Sequence, residues 1–312
     1  MAFKKTFGAW LLLSFMTYRV YATTFVIAND CGYTIWPGIL SNAGVPLLAN
    51  GGFTLLPGQS STLQAPSGWA GRLWGRTGCK FASDGSGACE SADCGGKLQC
   101  QGTGATPPAT LVEFTLQGTA GATQDYYDVS LVDGYNVPVA VAPTTNGGSG
   151  TCGVASCSVD INSNCPTGLQ VLDYGGQVVS CKSACLAFQT AQYCCDGAYA
   201  SPTTCTPTTY SEFFKAACPS AYSYAYDDPT SIFTCSSSQY LITFCPSSTT
   251  PTNSQKTSSG VLPSSSTGGT TIPNSQEWNE STNNIPSLRV PTIFALIILR
   301  IIAWEKYASH IA

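Results

Sequence analysis

Histidine is almost absent from this chain: its 312 residues include a single one, His310, close to the C-terminus. Nucleophilic catalysis of the Ser-His-Asp or Cys-His kind needs an imidazole beside the nucleophile. Residues 23–246, which contain all sixteen cysteines, therefore cannot use this chemistry. Any acid–base chemistry in this segment must come from carboxylates, Tyr or Lys.

Basic residues are also scarce. Residues 23–246 contain six Lys and Arg against fourteen Asp and Glu, which gives a net charge of −8. Proteins recognise nucleic acids and anionic membranes through basic surfaces, so we expect neither as a partner. The 224 residues of this segment are enough for a sizeable core and one or two domains.

The N-terminus lacks an apolar run long enough to span a bilayer. Residues 7–18 are mostly apolar and follow Lys4 and Lys5, and a small residue, Ala22, ends the segment. This pattern is typical of a secretory signal peptide, and we expect residues 1–22 to be removed. The mature protein is thus expected to be secreted, into the extracellular space or the cell wall.

Cysteine, by contrast, is abundant. Residues 85–100 read GSGACESADCGGKLQC, and this C-x4-C-x5-C spacing suits neither the close pairs of structural zinc sites nor a C-x-x-C redox pair. His, a frequent zinc ligand, is missing between Cys31 and Cys245, the first and last of the sixteen cysteines. An even, dense set of cysteines in a secreted chain indicates a disulfide framework, and we expect no metal and no cofactor.

Short strands dominate the pattern along residues 23–150. Runs such as TTFVIAND and ATLVEFTLQ lie between Gly- and Pro-rich turns, which is typical of an all-β sandwich or barrel. Two helices are expected in the cysteine-rich part that follows. One places Cys181 and Cys185 on one face, and the other begins with a capping box of Thr209 and Glu212. SIFTC and QYLITFC then return to strand.

The composition changes beyond residue 246. Residues 247–289 are rich in Ser, Thr, Pro and Asn, and we expect a disordered, O-glycosylated linker with an N-glycosylation sequon at Asn279. Residues 290–312 open with an apolar run of fifteen residues that Arg300 interrupts, which is short for a membrane span. This tail is either a membrane attachment, such as a lipid-anchor signal, or a segment without defined structure.

Residues 85–100 closely resemble the signature of the thaumatin-like proteins, the fifth family of plant pathogenesis-related proteins, with Ser91 where the family usually has Thr. The runs GRLWGRTGC, ATLVEFTL, DYYDVSLVDGYNVPV and YSEFFKAACPSAYSYAYDD extend the resemblance over residues 23–246. It implies a mainly β, thaumatin-like fold with eight disulfides. Its parts are a β-sandwich body of residues 23–77, 107–150 and 230–246, a small disulfide-rich loop domain of residues 78–106, and a disulfide-rich helical domain of residues 151–229.

The resemblance also implies how the cysteines pair, which the sequence alone cannot decide. Taken in the order of the family, the pairs are Cys31–Cys245, Cys79–Cys89, Cys94–Cys100, Cys152–Cys235, Cys157–Cys218, Cys165–Cys181, Cys185–Cys194 and Cys195–Cys205. A bond between Cys31 and Cys245 would join the two ends of the domain, and long loops gain most from closure in the entropic description of disulfides.

In the family, an Arg, a Glu and three Asp line an acidic cleft between the body and the helical domain. Matched position by position, these residues are Arg72, Glu113, Asp128, Asp133 and Asp227. Glu113 lies in an apolar strand pattern and Asp128 between Tyr and Val, where a charge needs solvent or a partner such as Arg72. Nearby aromatic residues could stack on sugar rings: Tyr126, Tyr127 and Tyr135.

Several of these residues also have an ordinary structural interpretation. Asp133 precedes Gly in a common turn pair, and Asp227, which neighbours Asp228, can equally lie in a solvated turn. Arg72 and Arg76 can be outward-facing strand charges. In the cysteine-rich signature, Asp93 is expected to fix the loop rather than to act on a substrate.

Three functions are open on these grounds. The first is a secreted antifungal defence protein, a monomer that binds β-1,3-glucan or a related cell-wall polysaccharide through the cleft. The second is a weak endo-β-1,3-glucanase with Glu113 as acid and Asp128 or Asp133 as partner, since two carboxylates across a cleft are the minimum for glycoside hydrolysis. The third is a wall or receptor-like protein anchored by its tail. We expect binding first and hydrolysis second.

Overall fold

The first strand, β1 (Thr23–Asn29), has an alternating pattern and belongs to one of the two large sheets of the fold. Every second side chain of β1 is buried, from Thr23 to Asn29. The computed structural model of the chain describes residues 23–119, 122–144 and 149–247. Strand β1 lies in a five-stranded sheet of order β10-β9-β14-β1-β3, in which it pairs in parallel with β14. The other strands of this sheet are β3 (Ser60–Ala65), β9 (Val139–Pro143), β10 (Ala155–Cys157) and β14 (Gln239–Phe244).

A second five-stranded sheet has the order β13-β8-β7-β4-β2, and all its pairings are antiparallel. Its strands are β2 (Trp36–Ser41), β4 (Ala70–Arg76), β7 (Leu111–Thr115), β8 (Asp125–Ser130) and β13 (Phe233–Cys235). Two small antiparallel pairs complete the strands of the described residues. They are β5 (Lys80–Phe81) with β6 (Gly87–Ala88), and β11 (Gln170–Leu172) with β12 (Val178–Cys181).

Aromatic side chains join the facing surfaces of the two large sheets. The ring centroids of Phe25 and Phe114 lie 4.6 Å apart, and Tyr240 lies 5.1 Å from both Phe114 and Tyr127. Phe25 and Tyr240 come from the first sheet, Phe114 and Tyr127 from the second, and all are at most 3% exposed. Burying such a side chain contributes about 1.5–3 kcal/mol, so this cluster holds the sandwich together. The expected mainly β fold is confirmed.

The α-helices of the described residues are short and lie after β10: α1 (Ala184–Phe188), α2 (Ala191–Cys194), α3 (Thr209–Ala217) and α4 (Asp228–Ser231). The capping box of α3 differs from the expected one. Thr208, in an extended conformation, is the N-cap, and its side chain accepts from the backbone N–H of Ser211 at 3.3 Å. The Oγ of Ser211 accepts from the backbone N–H of Thr208 at 2.8 Å, so Ser211 takes the role expected of Glu212. The expected helical pair of Cys181 and Cys185 is also wrong, because Cys181 ends β12.

All sixteen cysteines are paired, and the eight disulfides are the eight pairs that the resemblance implies. The bond between Cys31 and Cys245 follows directly on the parallel pairing of β1 with β14. Four bonds join the short helices, the segments that connect them, β10 and β12. They are Cys157–Cys218, Cys165–Cys181, Cys185–Cys194 and Cys195–Cys205.

Arg76 at the end of β4 is completely buried, which corrects the interpretation of it as an outward strand charge. Its guanidinium group lies 5.5 Å from the ring of Phe81 and donates to backbone carbonyls on two separate segments of the chain. Burial lowers the pKa of Arg76 to about 10, although the charge of Asp93 opposes this shift, so the group stays charged at neutral pH. The carbonyl acceptors belong to Trp36, Pro37, Lys97 and Leu98.

Several predictions concern residues that the structure does not describe. The signal peptide of residues 1–22, the linker beyond Ser247, the sequon at Asn279 and the tail of residues 290–312 all lie outside the described ranges. Within those ranges, no helix is long and apolar enough to cross a membrane.

Candidate functional site

Three of the expected site residues lie side by side across the second sheet. Arg72 of β4 is directly opposite Glu113 of β7, which is directly opposite Asp128 of β8. Their neighbours in sequence, such as Leu73, Val112 and Tyr127, belong to the core, so the three charged side chains share the outer face of the sheet. Residues opposite each other on antiparallel strands have Cβ atoms about 4.5–5.5 Å apart. We call Arg72, Glu113 and Asp128 the charged row.

The small loop of residues 78–106 covers the outer face of the second sheet on one side of the charged row. Trp74 and Leu111 occupy the next outward positions of β4 and β7, and both belong to one buried cluster with the disulfide of Cys94 and Cys100. The indole N–H of Trp74 also donates to the carbonyl of Ala92 at 3.0 Å. The charged row therefore begins where the apolar cover of the second sheet ends.

Asp128 is the most enclosed member of the charged row. It is 7% exposed, and its Oδ1 is buried without a hydrogen-bond partner among the described residues. Burial, followed by the charges of Glu113 and Asp228, holds the pKa of Asp128 well above its usual range. Asp128 therefore keeps its proton to a higher pH than an exposed aspartate does. Glu113 and Arg72, by contrast, are only half-buried.

Asp133 lies in the turn that follows β8. The N–H of Gly134 donates to the carbonyl of Leu131 at 2.9 Å, and the carbonyl of Asp133 accepts from the N–H of Ala109 at 2.9 Å. Gly134 has a φ of +82°, and a Cβ there would lie 2.6 Å from the carbonyl oxygen of Cys181, so this turn requires glycine. The backbone of Asp133 has this turn role, and a ligand role for its half-buried carboxylate stays a prediction.

Asp227 is engaged within its own segment of the chain. Its Oδ2 lies 2.9 Å from Nζ of Lys215 and accepts from both the backbone N–H and the hydroxyl of Ser223, at 3.0 and 2.9 Å. Lys215, on α3, also donates to the carbonyl of Ala221 at 3.0 Å. Asp227 thus ties its loop to α3, which is a structural role that the family match did not foresee.

Asp228, which we did not assign to the site from the sequence, is the carboxylate that acts on the charged row. Its charge contributes to the raised pKa of Asp128, and its Oδ1 accepts from the hydroxyl of Tyr222 at 2.9 Å. Tyr222 is fixed to the end of β8 by its backbone: its N–H donates to Val129 and its carbonyl accepts from Leu131, both at 2.8 Å. The only signal in the sequence was the adjacency of Asp227 and Asp228.

Of the three tyrosines expected near the charged row, two are buried in the core. Tyr127 and Tyr135 are completely buried and donate to the carbonyls of Gly153 and Val159, so neither can stack on a sugar. Tyr126 is half-buried on the outer face of β8, two residues from Asp128. Tyr224 and Tyr226, which shortly precede Asp228 in the chain, are also half-buried.

Asp93, in the cysteine-rich signature, fixes its loop as expected: its Oδ2 accepts from the N–H of Gly96 at 2.6 Å.

Among the described residues, no group of three His, Cys, Asp or Glu side chains has the arrangement of a metal site. The charged row itself consists of two carboxylates and a guanidinium group. Carboxylates accept hydrogen bonds from hydroxyls, and a guanidinium donates them.

Residues 29–246 match the model of the Thaumatin family, and the chain belongs to this family. It is 54% identical over 226 residues to the pathogenesis-related thaumatin-like protein 3.5 of Cryptomeria japonica, a match that covers 72% of this chain and 91% of that protein. It is 55% identical over 227 residues to pathogenesis-related protein 5 of Arabidopsis thaliana, covering 72% and 92%. The resemblance identified from the sequence is confirmed.

Among solved structures, the thaumatin-like xylanase inhibitor TLXI aligns with 71% of this chain and 99% of its own. The TM-score of this alignment is 0.39, and the sequence identity is 23%.

Proposed function

We propose that this protein is a secreted plant defence protein that binds β-1,3-glucan, or a related cell-wall polysaccharide, through the charged row. The observation that carries this proposal is the placement of Arg72, Glu113 and Asp128 opposite one another on three adjacent strands. Such a row offers acceptors and a donor along one line, and vicinal sugar hydroxyls act both as donors and as acceptors. Membership of a family with pathogenesis-related relatives favours a defence role, and wall binding would make it antifungal.

The disulfides support the extracellular part of this proposal. Eight bonds leave no free cysteine, a state that persists in oxidising compartments and is rare in the cytosol. A monomer in the extracellular space or cell wall is the form that we propose. Anchoring through residues 290–312 remains a separate prediction, which release of the protein from membranes by a lipid-cleaving enzyme would test.

Weak hydrolysis of β-1,3-glucan is the second candidate function. Retaining and inverting glycosidases both need one protonated and one ionised carboxyl group, and the raised pKa of Asp128 would suit it to the protonated role. In this candidate function Asp128, rather than the expected Glu113, would act as the acid, because its pKa is the one raised. Yet Oδ1 of Asp128 is buried, and an acid must reach the glycosidic oxygen, so we favour binding over hydrolysis.

One experiment separates the two functions. Retention on insoluble β-1,3-glucan and release of reducing ends are measured for the wild type and for Glu113→Gln. We expect the wild type to be retained, and the variant to lose about tenfold in affinity because it lacks one charged hydrogen-bond acceptor. Asp30→Asn, at an exposed position with no side-chain hydrogen bond among the described residues, is the control for the change in net charge.

The outcomes of this experiment are distinct. Wild-type protein that is not retained would refute the proposed binding. Reducing ends that Glu113→Gln releases as fast as the wild type would refute a role for Glu113 in hydrolysis.

A further inference from the structure

A groove opens at the end of the second sheet, where β2 begins and β4 has just ended. Its volume is about 410 Å³, which is in the usual range of pockets that hold small ligands. We call it the Glu90 groove, and its lining residues are Tyr33, Thr34, Trp36, Thr77, Gly78 and Glu90. No residue of the charged row is among them, so the groove is a separate site.

Two aromatic side chains line the Glu90 groove from the segment that leads into β2. Tyr33 is 48% exposed, and Trp36 is half-buried. The carbonyl of Tyr33 accepts from the side-chain amide of Asn29 at 2.9 Å. Ile35, between the two aromatic residues, forms two backbone hydrogen bonds with Leu55, of 3.0 and 2.9 Å. The groove therefore presents two rings on a fixed backbone, and aromatic rings, Trp above all, attract cations over their faces.

Glu90 brings a carboxylate to the same groove. A Cβ at Gly78 would collide with this carboxylate, so the side chain of Glu90 lies directly against the backbone of Gly78. Among the described residues, Glu90 forms no ion pair, and its carboxylate accepts no hydrogen bond. The buried guanidinium of Arg76 does not neutralise it, because that group donates to backbone carbonyls. Both oxygens of Glu90 are thus available to a ligand.

The hydroxyl of Thr77 adds a hydrogen-bond donor to the groove. Oγ of Ser91 lies 2.6 Å from Oγ1 of Thr77 and accepts from the side-chain amide of Asn136 at 2.9 Å. Ser91 is buried, and Thr77 is the one acceptor that the described residues offer to its hydroxyl, so Ser91 donates to Thr77. The hydroxyl hydrogen of Thr77 is then left for an acceptor on a ligand.

A guanidinium group matches the rings and the carboxylate together. It is planar, so it can pair with both oxygens of a carboxylate and also stack on an aromatic face, which a compact ammonium group cannot. The net charge of residues 23–246, −8, attracts basic rather than acidic partners. An arginine residue within a polypeptide also brings the backbone carbonyl that the hydroxyl of Thr77 can bind.

We propose that the Glu90 groove binds an arginine side chain of a partner polypeptide. The guanidinium group pairs with both oxygens of Glu90 and stacks on the rings of Tyr33 and Trp36. A backbone carbonyl next to the arginine accepts from the hydroxyl of Thr77. This site goes beyond the proposed polysaccharide binding and does not depend on it.

Titration with N-acetyl-arginine methylamide, followed through the NMR signal of the indole N–H of Trp36, tests this site. We expect a saturable shift of that signal. N-acetyl-citrulline methylamide has nearly the same shape without the charge and should bind about tenfold more weakly, because the hydrogen bonds to Glu90 are no longer between charged groups. Methylguanidinium lacks the backbone carbonyl and should bind about threefold more weakly.

Two variants at exposed positions locate the contact. Glu90→Gln should lose about tenfold in affinity for the arginine derivative, and Tyr33→Leu about threefold. Two matched controls should stay within about twofold of the wild type. They are Glu212→Gln, at an exposed position of α3, and Tyr174→Leu, at a fully exposed tyrosine between β11 and β12.

The possible outcomes are distinct. Citrulline and arginine derivatives that bind equally well, or an unchanged affinity of Glu90→Gln, would overturn the proposal, because no charge would then be recognised. Methylguanidinium that binds as tightly as the arginine derivative would contradict a polypeptide partner and show a site for small cations. A shift of the Trp36 signal with β-1,3-linked glucose oligosaccharides, and none with the arginine derivative, would assign the groove to polysaccharide instead.

Discussion

Tyr222 and Asp228 form a hydrogen bond of 2.9 Å that joins the end of β8 to the first residue of α4. A second pair of the same kind lies on the core-facing side of β8, where the hydroxyl of Tyr240 donates to Oδ2 of Asp125 at 2.7 Å. One strand therefore has a tyrosine–aspartate bond near each face, one beside the charged row and one inside the sandwich.

These two bonds provide a matched pair of variants. Tyr222→Phe frees Asp228, whose charge acts on Asp128 of the charged row, so we expect weaker binding of β-1,3-glucan with a loss of stability of only about 0.5–1.5 kcal/mol. Tyr240→Phe removes a donor from the buried Asp125, so we expect a larger loss, about 1–3 kcal/mol, with unchanged binding. Binding isotherms and denaturant unfolding of both variants check this. Equal effects of the two changes on binding would count against a role for Tyr222 in positioning Asp228.

The raised pKa of Asp128 predicts how stability depends on pH. The folded protein keeps a proton on Asp128 that the unfolded chain releases above about pH 4, so its stabilising contribution is complete below that pH. The contribution is lost as the pH rises through the folded-state pKa. Asp128→Asn has no such proton, so we expect it to be more stable than the wild type near neutral pH, with the difference vanishing in acid.

Thermal unfolding of Asp128→Asn and the wild type, measured from about pH 3 to about pH 8, checks this prediction. The difference in Tm should widen with pH, by about 2–4 °C for each kcal/mol for a domain of this size. A difference that is the same at every pH would show that the substitution acts through packing rather than through the proton.

The hydrogen bonds of Arg76 are expected to stabilise the small loop of residues 78–106. Arg76→Lys keeps the charge, but a single ammonium cannot reach carbonyls on both segments, those of Trp36 and Leu98 for example. We expect a loss of at least about 3 kcal/mol, because several hydrogen bonds from a buried charged group are broken at once. Since the pKa of Arg76 is about 10, the loss should be the same across the neutral range.

Limited proteolysis adds a local measurement to the free energy of unfolding for this variant. Cleavage of Arg76→Lys should concentrate within residues 78–106, whereas Lys80→Ala, at an exposed position of β5, should resist as the wild type does. Uniform cleavage over the whole domain would show that Arg76 stabilises more than this loop.

The disulfides should contribute unequally to the stability of the fold, and more for those that close longer loops. Cys31 and Cys245 are separated by 214 positions, and Cys94 and Cys100 by 6. The chain-entropy relation gives about 5 kcal/mol for the first bond and about 2 kcal/mol for the second. Replacing each pair by two Ser and measuring unfolding in denaturant tests the order. A larger loss from the shorter loop would contradict the entropic description for this protein.

The strand pattern of the sequence was enough to place Glu113. Val112 and Phe114 on either side of it are apolar, and the alternation of a strand sends Glu113 to the other face. The partners of Glu113 were not derivable in the same way, because the register of three strands depends on contacts far apart in sequence. The family resemblance, and not the strand pattern, predicted that Arg72, Glu113 and Asp128 belong to one site.

The irregular segments were harder to interpret. Asp227 and Asp228 are chemically identical neighbours, and only the positions of Lys215 and Tyr222, brought near by tertiary structure, separate their roles. Arg76 is charged yet buried, because carbonyls at the start of β2 and carbonyls of a distant loop, those of Lys97 and Leu98, surround it. Sequence patterns indicate which face of a strand or helix a residue occupies. They do not indicate which partners from distant segments will contact it.

The parallel pairing of β1 with β14 has a consequence for how the protein is made. β14 fills the gap between β1 and β9, so the first sheet stays divided until the final strand, Gln239–Phe244, has been synthesised. Pairings of such high contact order form slowly. The native topology therefore closes only after translation of the whole domain, and the bond between Cys31 and Cys245 can form only at that late stage.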